Sequence, residues 1–171
     1  MKVPYERRLA GTFGIDELIR LDRKTLHAVL ATAYDDIPHT SLVAYAFDCQ
    51  ENVFVFLTPG KTTKYLNILR NPHVSLLIDT RGNTDKDYLS GEAFAVTGRA
   101  VVLRAGRKRE RLSDTFLNKH PKLRDFSRAR STVTVAVGIQ RCYKVTRFQE
   151  VFEYKEGGVG TRPGEGAAGA D

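Results

Sequence analysis

The sequence predicts a mainly β domain with peripheral helices, in which six or seven strands form an antiparallel barrel. Two observations support this fold class. The apolar segments are mostly short and are joined by turn-forming residues, as in antiparallel sheets. One of them, residues 53–57, is apolar in both alternating sets of side chains, which is typical of a strand covered on both faces. Closing such a sheet into a barrel removes its exposed edges.

The first predicted elements are one helix and one hairpin. Residues 15–23 place their apolar side chains near one side of a helix, which predicts a short amphipathic helix. The segments 27–33 and 40–47 are short apolar runs separated by the turn-forming residues 35–38. This pattern predicts two strands of a β-hairpin.

The next elements place a helix directly after a core strand. A turn at 48–52 leads into the strand 53–57, and residues 61–70 then carry apolar side chains at helical spacing. We expect this helix to end at Asn71, because the residue before a proline disfavours helical geometry. Residues 73–79 read as the following strand.

The second half of the chain repeats this mixture of strands and short helices. Residues 80–91 form a polar loop, of the kind that often carries function. Gly98 interrupts a long predicted strand, 92–104, and marks a bulge or a corner of the barrel. The remaining predicted elements are helices at 106–119 and 123–126 and strands at 132–139 and 143–154.

Composition restricts the class of protein. The chain has 171 residues, of which 42% are apolar and 27% are charged, so we expect one folded domain at 1–155. Residues 156–171 are rich in Gly, Pro and Ala, which predicts a disordered tail. We expect a cytoplasmic protein without membrane partners, because no apolar stretch approaches membrane-spanning length and the start has no secretory apolar region. The two cysteines, Cys49 and Cys142, are interpreted as isolated thiols.

The formal net charge of +7 makes the surface attractive to anions. The densest basic run lies within 104–111 and leads into a predicted helix. We interpret it as a solvated helix face. A nucleic-acid partner is disfavoured, because the sequence lacks the aromatic run and motif that single-strand binders show.

The chemically informative segment is 57–64, where a core strand turns sharply into the start of a helix. The first N–H groups of a helix have no partner within it, and the helix dipole is positive at that end, so such a corner favours a phosphate. Here Thr62 and Thr63 offer hydroxyls and Lys61 and Lys64 offer charge. The chain has neither a P-loop motif nor a dinucleotide-binding glycine motif, so this corner does not belong to those nucleotide folds. A threonine and lysines at the start of an ordinary surface helix remain the alternative.

The order of the segments resembles the pyridoxamine 5'-phosphate oxidase-like, FMN-binding split barrels. The pieces that carry the resemblance are LAT (30–32), PHTSLV (38–43), FVFLT (54–58) and KTTKYLNILRNPHVSLLID (61–79), with GRAVVL (98–103) and YKVTRFQEVF (143–152) after them. The similarity extends over residues 15–154 and implies an antiparallel split β-barrel. It also implies a homodimer with the flavin at the subunit interface.

The resemblance assigns flavin contacts to particular residues. Thr62, Thr63 and Lys64 fall on the positions that hold the flavin phosphate, and Thr58 falls on the strand-end position that also reaches the flavin. The strand that lies along the flavin ring matches Thr40, Ser41, Leu42 and Val43, with His39 directly before it. Arg81, in the polar loop, is either an additional anion or flavin contact or a solvent-exposed loop arginine.

Two departures separate the chain from genuine pyridoxamine 5'-phosphate oxidases. It contains no tryptophan, and it lacks the C-terminal Arg-x-His substrate motif of those enzymes. We therefore expect a cofactor site without the vitamin B6 oxidase activity. The four histidines (His27, His39, His73 and His120) lack metal-ligand spacing, so no metal or haem site is predicted.

The resulting hypothesis is an FMN-dependent oxidoreductase that acts on a small molecule by hydride transfer at the flavin. The sequence does not assign a catalytic acid or base. Two alternatives stay open: a non-catalytic flavin carrier, stress protein or redox sensor, and a relative that binds deazaflavin F420 in place of FMN.

Overall fold

The computed structural model describes residues 9–146 and 150–157. It confirms a mainly β fold with peripheral helices. The strands are β1 (Leu9–Phe13), β2 (His27–Tyr34), β3 (Ile37–Ala44), β4 (Ala46–Asp48), β5 (Val53–Pro59), β6 (His73–Asp79), β7 (Glu92–Leu103), β8 (Thr132–Thr146) and β9 (Glu150–Tyr154). The helices are α1 (Ile15–Lys24), α2 (Thr63–Arg70), α3 (Asp87–Ser90), α4 (Arg107–Lys119) and α5 (Arg124–Arg128), with a 3-10 turn at Pro121–Leu123. The predicted disordered tail lies, beyond its first two residues, outside the described residues.

One sheet contains all nine strands of the described chain, in the order β3-β2-β6-β7-β8. The long strand β8 then pairs with two neighbours, β5 along its first half and β9 along its second half. β4 adds to β5, and β1 adds to β9 in the one parallel pairing among the described strands. Within the described residues no ladder joins β3 to β4 or β5, although β3 and β5 are in contact. The barrel is therefore split at this point rather than closed by hydrogen bonds.

The described chain has nine strands, where about six or seven were predicted. The predicted strand 40–47 is two strands, because the chain breaks at the fully buried Tyr45, whose amide donates to the carbonyl of Leu26. β1 was not predicted, because apolar and polar residues hardly alternate in its sequence, LAGTF. Two strands were also predicted at 132–139 and 143–154. In the structure β8 runs without interruption from Thr132 to Thr146, and β9 covers Glu150–Tyr154.

The first hairpin turns more tightly than predicted. Only Asp35 and Asp36 form the turn, with φ angles of 53° and 58°, and β3 already begins at Ile37. Two successive residues with positive φ match the right-handed twist of paired strands, and aspartate tolerates this conformation better than most residues. The expectation of a four-residue turn, 35–38, is therefore corrected to two residues.

Gly98 marks a bulge, as predicted. The pairing of β7 with β8 shifts register between Thr97 and Gly98. A Cβ placed on Gly98 would lie 2.3 Å from the carbonyl oxygen of Gly138, so any other residue here forces the backbone to shift.

The two faces of β5 enter two separate cores, which confirms the prediction of a strand covered on both sides. Phe54 and Phe56 lie inside the barrel, in the larger apolar cluster. Val55 and Leu57 face the second cluster, which α4 covers with Leu112 and Phe116. The strand that ends at the candidate site is thus fixed from both sides.

The helix predicted at 61–70 begins two residues later, at Thr63, because residues 60–62 form the turn that precedes it. The polar loop 80–91 contains the short helix α3, which the sequence did not predict. No helix in the described part of the chain combines the length and apolar character needed to cross a bilayer.

Candidate functional site

Backbone hydrogen bonds hold the corner between β5 and α2 on both sides. The amide of Gly60 donates to the carbonyl oxygen of Ser131 at 2.7 Å, which ties the turn to the residue before β8. The amide of Leu66 donates to the carbonyl oxygen of Thr62 at 3.0 Å and closes the first helical turn. The N–H groups of residues 63–65, which lie between Thr62 and Leu66, have no partner within the helix. The corner therefore presents the open start of a helix.

The threonine hydroxyls of the corner bind each other. Thr58 is buried, with 2% of its surface exposed, and its Oγ1 lies 3.1 Å from the Oγ1 of Thr62. The hydroxyl of Thr62 donates to the carbonyl oxygen of Pro59 at 3.1 Å and makes no capping bond to the described helix. The helix start thus stays uncapped by its own residues. Thr63, the first residue of α2, is exposed beside it.

The charges at the corner are all positive. Lys61 is exposed and Lys64 is half-buried, and neither forms an ion pair within the described chain. The first turn of α2 contains no acidic residue. Positive side chains add to the positive end of the helix dipole, so an anion gains from both.

A buried hydrogen-bond chain places this corner helix beside β3. Nδ2 of Asn67 donates to Oγ1 of Thr32 at 3.1 Å, and the Thr32 hydroxyl donates to the carbonyl oxygen of His39 at 3.4 Å. Asn67 lies in α2, Thr32 in β2 and His39 in β3. The structure therefore places α2, the helix that begins at the predicted phosphate corner, beside the start of the predicted ring strand.

The residues of β3 divide between two faces. His39, Ser41 and Val43 point the same way as the buried Leu30 of β2, whereas Thr40 and Leu42 alternate with them on the outer face. Leu42 is 70% exposed. Oγ of Ser41 is buried and has no hydrogen-bond partner in the described residues. An unpaired buried hydroxyl is costly, and Nε of Arg109 and Oγ1 of Thr132 are likewise buried without a partner in the described residues.

Arg81 does not join the corner. It follows the C-terminal end of β6, the strand whose start comes directly after α2. Its Nε donates to Oδ2 of Asp79 at 3.1 Å. Arg81 instead lines a cavity of about 610 Å³ together with Leu77, Asp87 and Tyr88. A second cavity of about 300 Å³ contains Leu77 and Leu42, so the two cavities share one residue.

The histidines do not assemble into a metal site. Nε2 of His120 lies 2.7 Å from the carbonyl oxygen of Tyr45, and burial lowers the pKa of this imidazole although that contact opposes the shift. His27 and His73 are exposed at the starts of their strands. No group of three His, Cys, Asp or Glu residues in the described ranges could hold a metal ion.

Part of the basic run 104–111 has a structural role. Lys108 pairs with Glu51, and Arg111 bridges Glu51 and Asp48, with 2.7 Å between its Nη1 and Oδ2 of Asp48. These ion pairs hold α4 against the turn between β4 and β5. Lys108 and Arg111 are thus partly exposed, at 54% and 37%, but they are paired with carboxylates rather than only solvated.

The comparison with known families agrees with this architecture. The sequence model of the family described as pyridoxamine 5'-phosphate oxidase matches residues 16–145. The chain belongs to the pyridoxamine 5'-phosphate oxidase family. The resemblance stated from its segments is thereby confirmed. A search of curated protein sequences finds no match.

Solved structures of this family's fold are similar to the chain at low sequence identity. An FAD-binding protein from Mesorhizobium loti has 22% identity and a TM-score of 0.61, with 75% of this chain and 89% of that chain covered. A heme-binding protein from Mycobacterium smegmatis has 15% identity and a TM-score of 0.68 over 83% of this chain and 55% of that chain. A heme storage protein from Vibrio cholerae has 13% identity and a TM-score of 0.64 over 73% and 89%. At identities this low, the structural similarity establishes the shared fold alone, and the ligands named for these proteins differ.

Sequence reasoning missed two residues that position the site in this family member. Ser131 anchors the corner through its carbonyl oxygen, and no sequence signal reveals a backbone acceptor. Asn67 could have been noticed, because it is a polar residue next to Ile68 on the apolar side of α2. A buried polar side chain on such a face requires a partner.

Proposed function

We propose that the chain binds FMN, with the flavin phosphate at the β5-α2 corner and the flavin ring beside β3. The observation that carries this proposal is the uncapped start of α2, flanked by two lysines without carboxylate partners in the described chain and joined to β3 through Asn67 and Thr32. Anions bind at such helix starts because the free N–H groups and the dipole both favour negative charge. Membership of the family supports the same ligand.

The residues at the corner fit a phosphate monoester. The backbone N–H groups of 63–65 and the ammonium groups of Lys61 and Lys64 supply donors, and Thr63 adds an exposed hydroxyl. Thr58 and Thr62 already bind each other, so their first role is to hold the shape of the turn. Either hydroxyl reaches the phosphate only by exchanging its present partner.

The ring side of the proposed site is β3. Ser41 offers a buried hydroxyl without a partner in the described residues, and its neighbours Thr40 and Val43 add backbone groups along the same strand. His39 lies at the end of β3 nearest to α2. When bound, the flavin supplies the redox chemistry, and the chain positions it and shapes the substrate pocket. Arg81 would contact the flavin or a substrate.

A homodimer fits the outer face of the sheet. Val29, Leu42 and Leu77 are 39%, 70% and 41% exposed, and they lie next to one another across β2, β3 and β6. Contiguous exposed apolar side chains of this kind mark interaction surfaces. We propose that a second copy covers this face. Because β3 is the last strand at this end of the sheet order, a flavin beside its edge would lie next to that subunit interface.

The activity that we propose is oxidation or reduction of a small organic molecule, without the vitamin B6 oxidase reaction.

The test of cofactor binding begins with purified protein, to which FMN, deazaflavin F420 or haem is added, and binding of each is followed by its absorbance spectrum. We expect FMN to bind and to show a perturbed flavin spectrum. A protein that takes up haem and no flavin would contradict the proposal. Reduced bound flavin that reacts with no electron acceptor would instead support a carrier or redox sensor.

A further inference from the structure

The two cavities that share Leu77 form one groove across the outer face of the sheet. The larger, of about 610 Å³, lies beside the end of β6, the start of β7 and the end of β8, where Val145 lines it. The smaller, of about 300 Å³, extends over Val29 of β2 to Leu42 of β3. We call the combined space, from Leu42 through Val29 and Leu77 to Val145, the outer groove. Its size is that of pockets that bind small organic molecules.

The middle of the outer groove is apolar and adjoins the proposed flavin site. Leu77 pairs with Val29, and Val29 pairs with Leu42, so the three exposed side chains form a continuous strip across three strands. A flat apolar molecule that covers this strip removes its surface from water. Because Leu42 belongs to the strand proposed to line the flavin ring, such a molecule would lie next to the flavin.

The end of the outer groove away from β3 is acidic. One arginine and three acidic residues line the larger cavity, namely Arg81, Asp85, Asp87 and Glu92. The chain as a whole has a formal net charge of +7. This end of the groove is therefore negative on a protein that is positive overall.

The arginine at this end is already used by the protein. Nε of Arg81 donates to Oδ2 of Asp79 at 3.1 Å, and Nη2 of Arg81 donates to the same oxygen. Glu92 is likewise paired with Arg20, with 2.8 Å between Oε2 and Nη1. These two ion pairs leave the carboxylates of the loop between β6 and β7 as the charges that a ligand meets.

Those two carboxylates form no ion pair within the described residues. Asp87 accepts hydrogen bonds from the amides of Thr84 and Gly82 at 2.9 and 3.0 Å, and these amides hold its pKa below the usual value, so it is charged at neutral pH. Asp85 lies beside it in the same loop. Tyr88 lines the same end and is 62% exposed, and the face of an aromatic ring attracts cations.

We infer that the outer groove holds the substrate and selects a flat apolar molecule that carries a cationic group, such as a protonated amine, at its acidic end. The apolar part lies on Leu77 and extends toward the flavin beside Leu42, and the cation lies near Asp85. A carboxylate or phosphate at that end is repelled. The inference rests on the proposed function, because the flavin must lie beside β3. A second copy on the outer face would close the open side of the groove.

The experiment uses three naphthalene probes that differ in one substituent: naphthylmethylamine, which is a cation at neutral pH, naphthylmethanol and naphthoate. Each is titrated into the FMN-loaded chain. The chain has no tryptophan, so the anisotropy of naphthalene fluorescence measures probe binding without an indole background. We expect the amine to bind about tenfold more tightly than the naphthoate, since two carboxylates near a protein surface supply such a difference. The bound amine should also shift the absorbance spectrum of FMN.

Two variants of one exposed residue test the source of this preference. Asp85→Lys should reduce the ratio of amine to naphthoate affinity by about fivefold, and Asp85→Asn should reduce it less. Asp114→Lys, which reverses an exposed carboxylate on α4, is the matched control and should keep the wild-type ratio. FMN affinity, measured separately by flavin absorbance, should be the same in all of these proteins, because Asp85 lies outside the corner.

The outcomes separate the inference from the proposed function. Equal or tighter binding of the naphthoate, or an amine preference that Asp85→Lys leaves unchanged, would overturn the inference and leave the FMN site intact. Amine binding that does not perturb the FMN spectrum would overturn the substrate role of the groove. Binding of FMN but of no probe would overturn the inference, since the second copy would then fill the groove. Failure of FMN to bind would overturn the proposed function, and the inference with it.

Discussion

The side-chain amide of Asn67 donates a 3.1 Å hydrogen bond to the hydroxyl of Thr32, and both residues are buried. The bond joins the helix that begins at the proposed phosphate corner to the strand next to β3. This polar pair therefore contributes, together with the buried Ile68, to fixing α2 relative to the proposed ring strand.

Asn67→Ala should destabilise the fold and weaken flavin binding together. It leaves the Thr32 hydroxyl without its buried donor, a loss that costs about 1–3 kcal/mol of unfolding free energy. Denaturant unfolding and FMN titration measure the two effects. Leu69→Ala, at a 48% exposed position of the same helix, should change both much less. Equal effects of the two variants would show that the pair does not position α2.

Gly98→Ala should destabilise the sheet by about 1–3 kcal/mol or more, because the new methyl group meets the backbone of β8 rather than a flexible side chain. Denaturant midpoints provide the measurement. Gly82→Ala is a matched control, since a Cβ at Gly82 meets no atom within 4 Å. A midpoint for Gly98→Ala equal to that of the control would mean that the bulge relaxes without cost.

Asp48 should make stability fall in acid. Burial by itself would raise the pKa of its carboxyl, but donors from the Glu51 amide, Arg111 and Thr115 outweigh burial and hold the pKa below its usual value of 3.8. A carboxyl with a lowered folded-state pKa contributes stability above its unfolded pKa and loses it as the pH falls through the folded pKa. We expect the free energy of unfolding to decline as the pH drops below 3.8.

Asp48→Asn tests this assignment through the pH profile of the unfolding free energy. The variant should be less stable than the wild type at neutral pH, and the difference should shrink as the solution becomes acidic. Asp114→Asn removes a carboxylate from α4 outside this cluster and should follow the wild-type profile. A constant difference between wild type and Asp48→Asn at all pH values would show that the carboxylate charge is not involved.

The sequence predicted elements well where local pattern and packing agree. Both alternating sets of side chains in β5 are apolar, which correctly predicted burial on both faces, and Gly98 correctly predicted the bulge. Each of these features is encoded within a few residues. The break at Tyr45 and the parallel pairing of β1 with β9 depend on contacts between distant segments, so no local pattern reveals them. For the same reason the sequence located the corner at residues 58–64 but not the hydrogen bond from Gly60 to Ser131 or the role of Asn67.

The most direct test of the phosphate corner compares FMN with riboflavin, which lacks the phosphate, in the wild type and in Lys64→Ala. Lys24→Ala, an exposed lysine on α1, is the control. We predict that the wild type prefers FMN and that Lys64→Ala loses about 1.5–3 kcal/mol of FMN affinity, as expected for a lost charged hydrogen bond. Riboflavin affinity should be unchanged in all three proteins. Equal binding of FMN and riboflavin by the wild type, or an FMN affinity in Lys64→Ala equal to that of the control, would contradict the assignment.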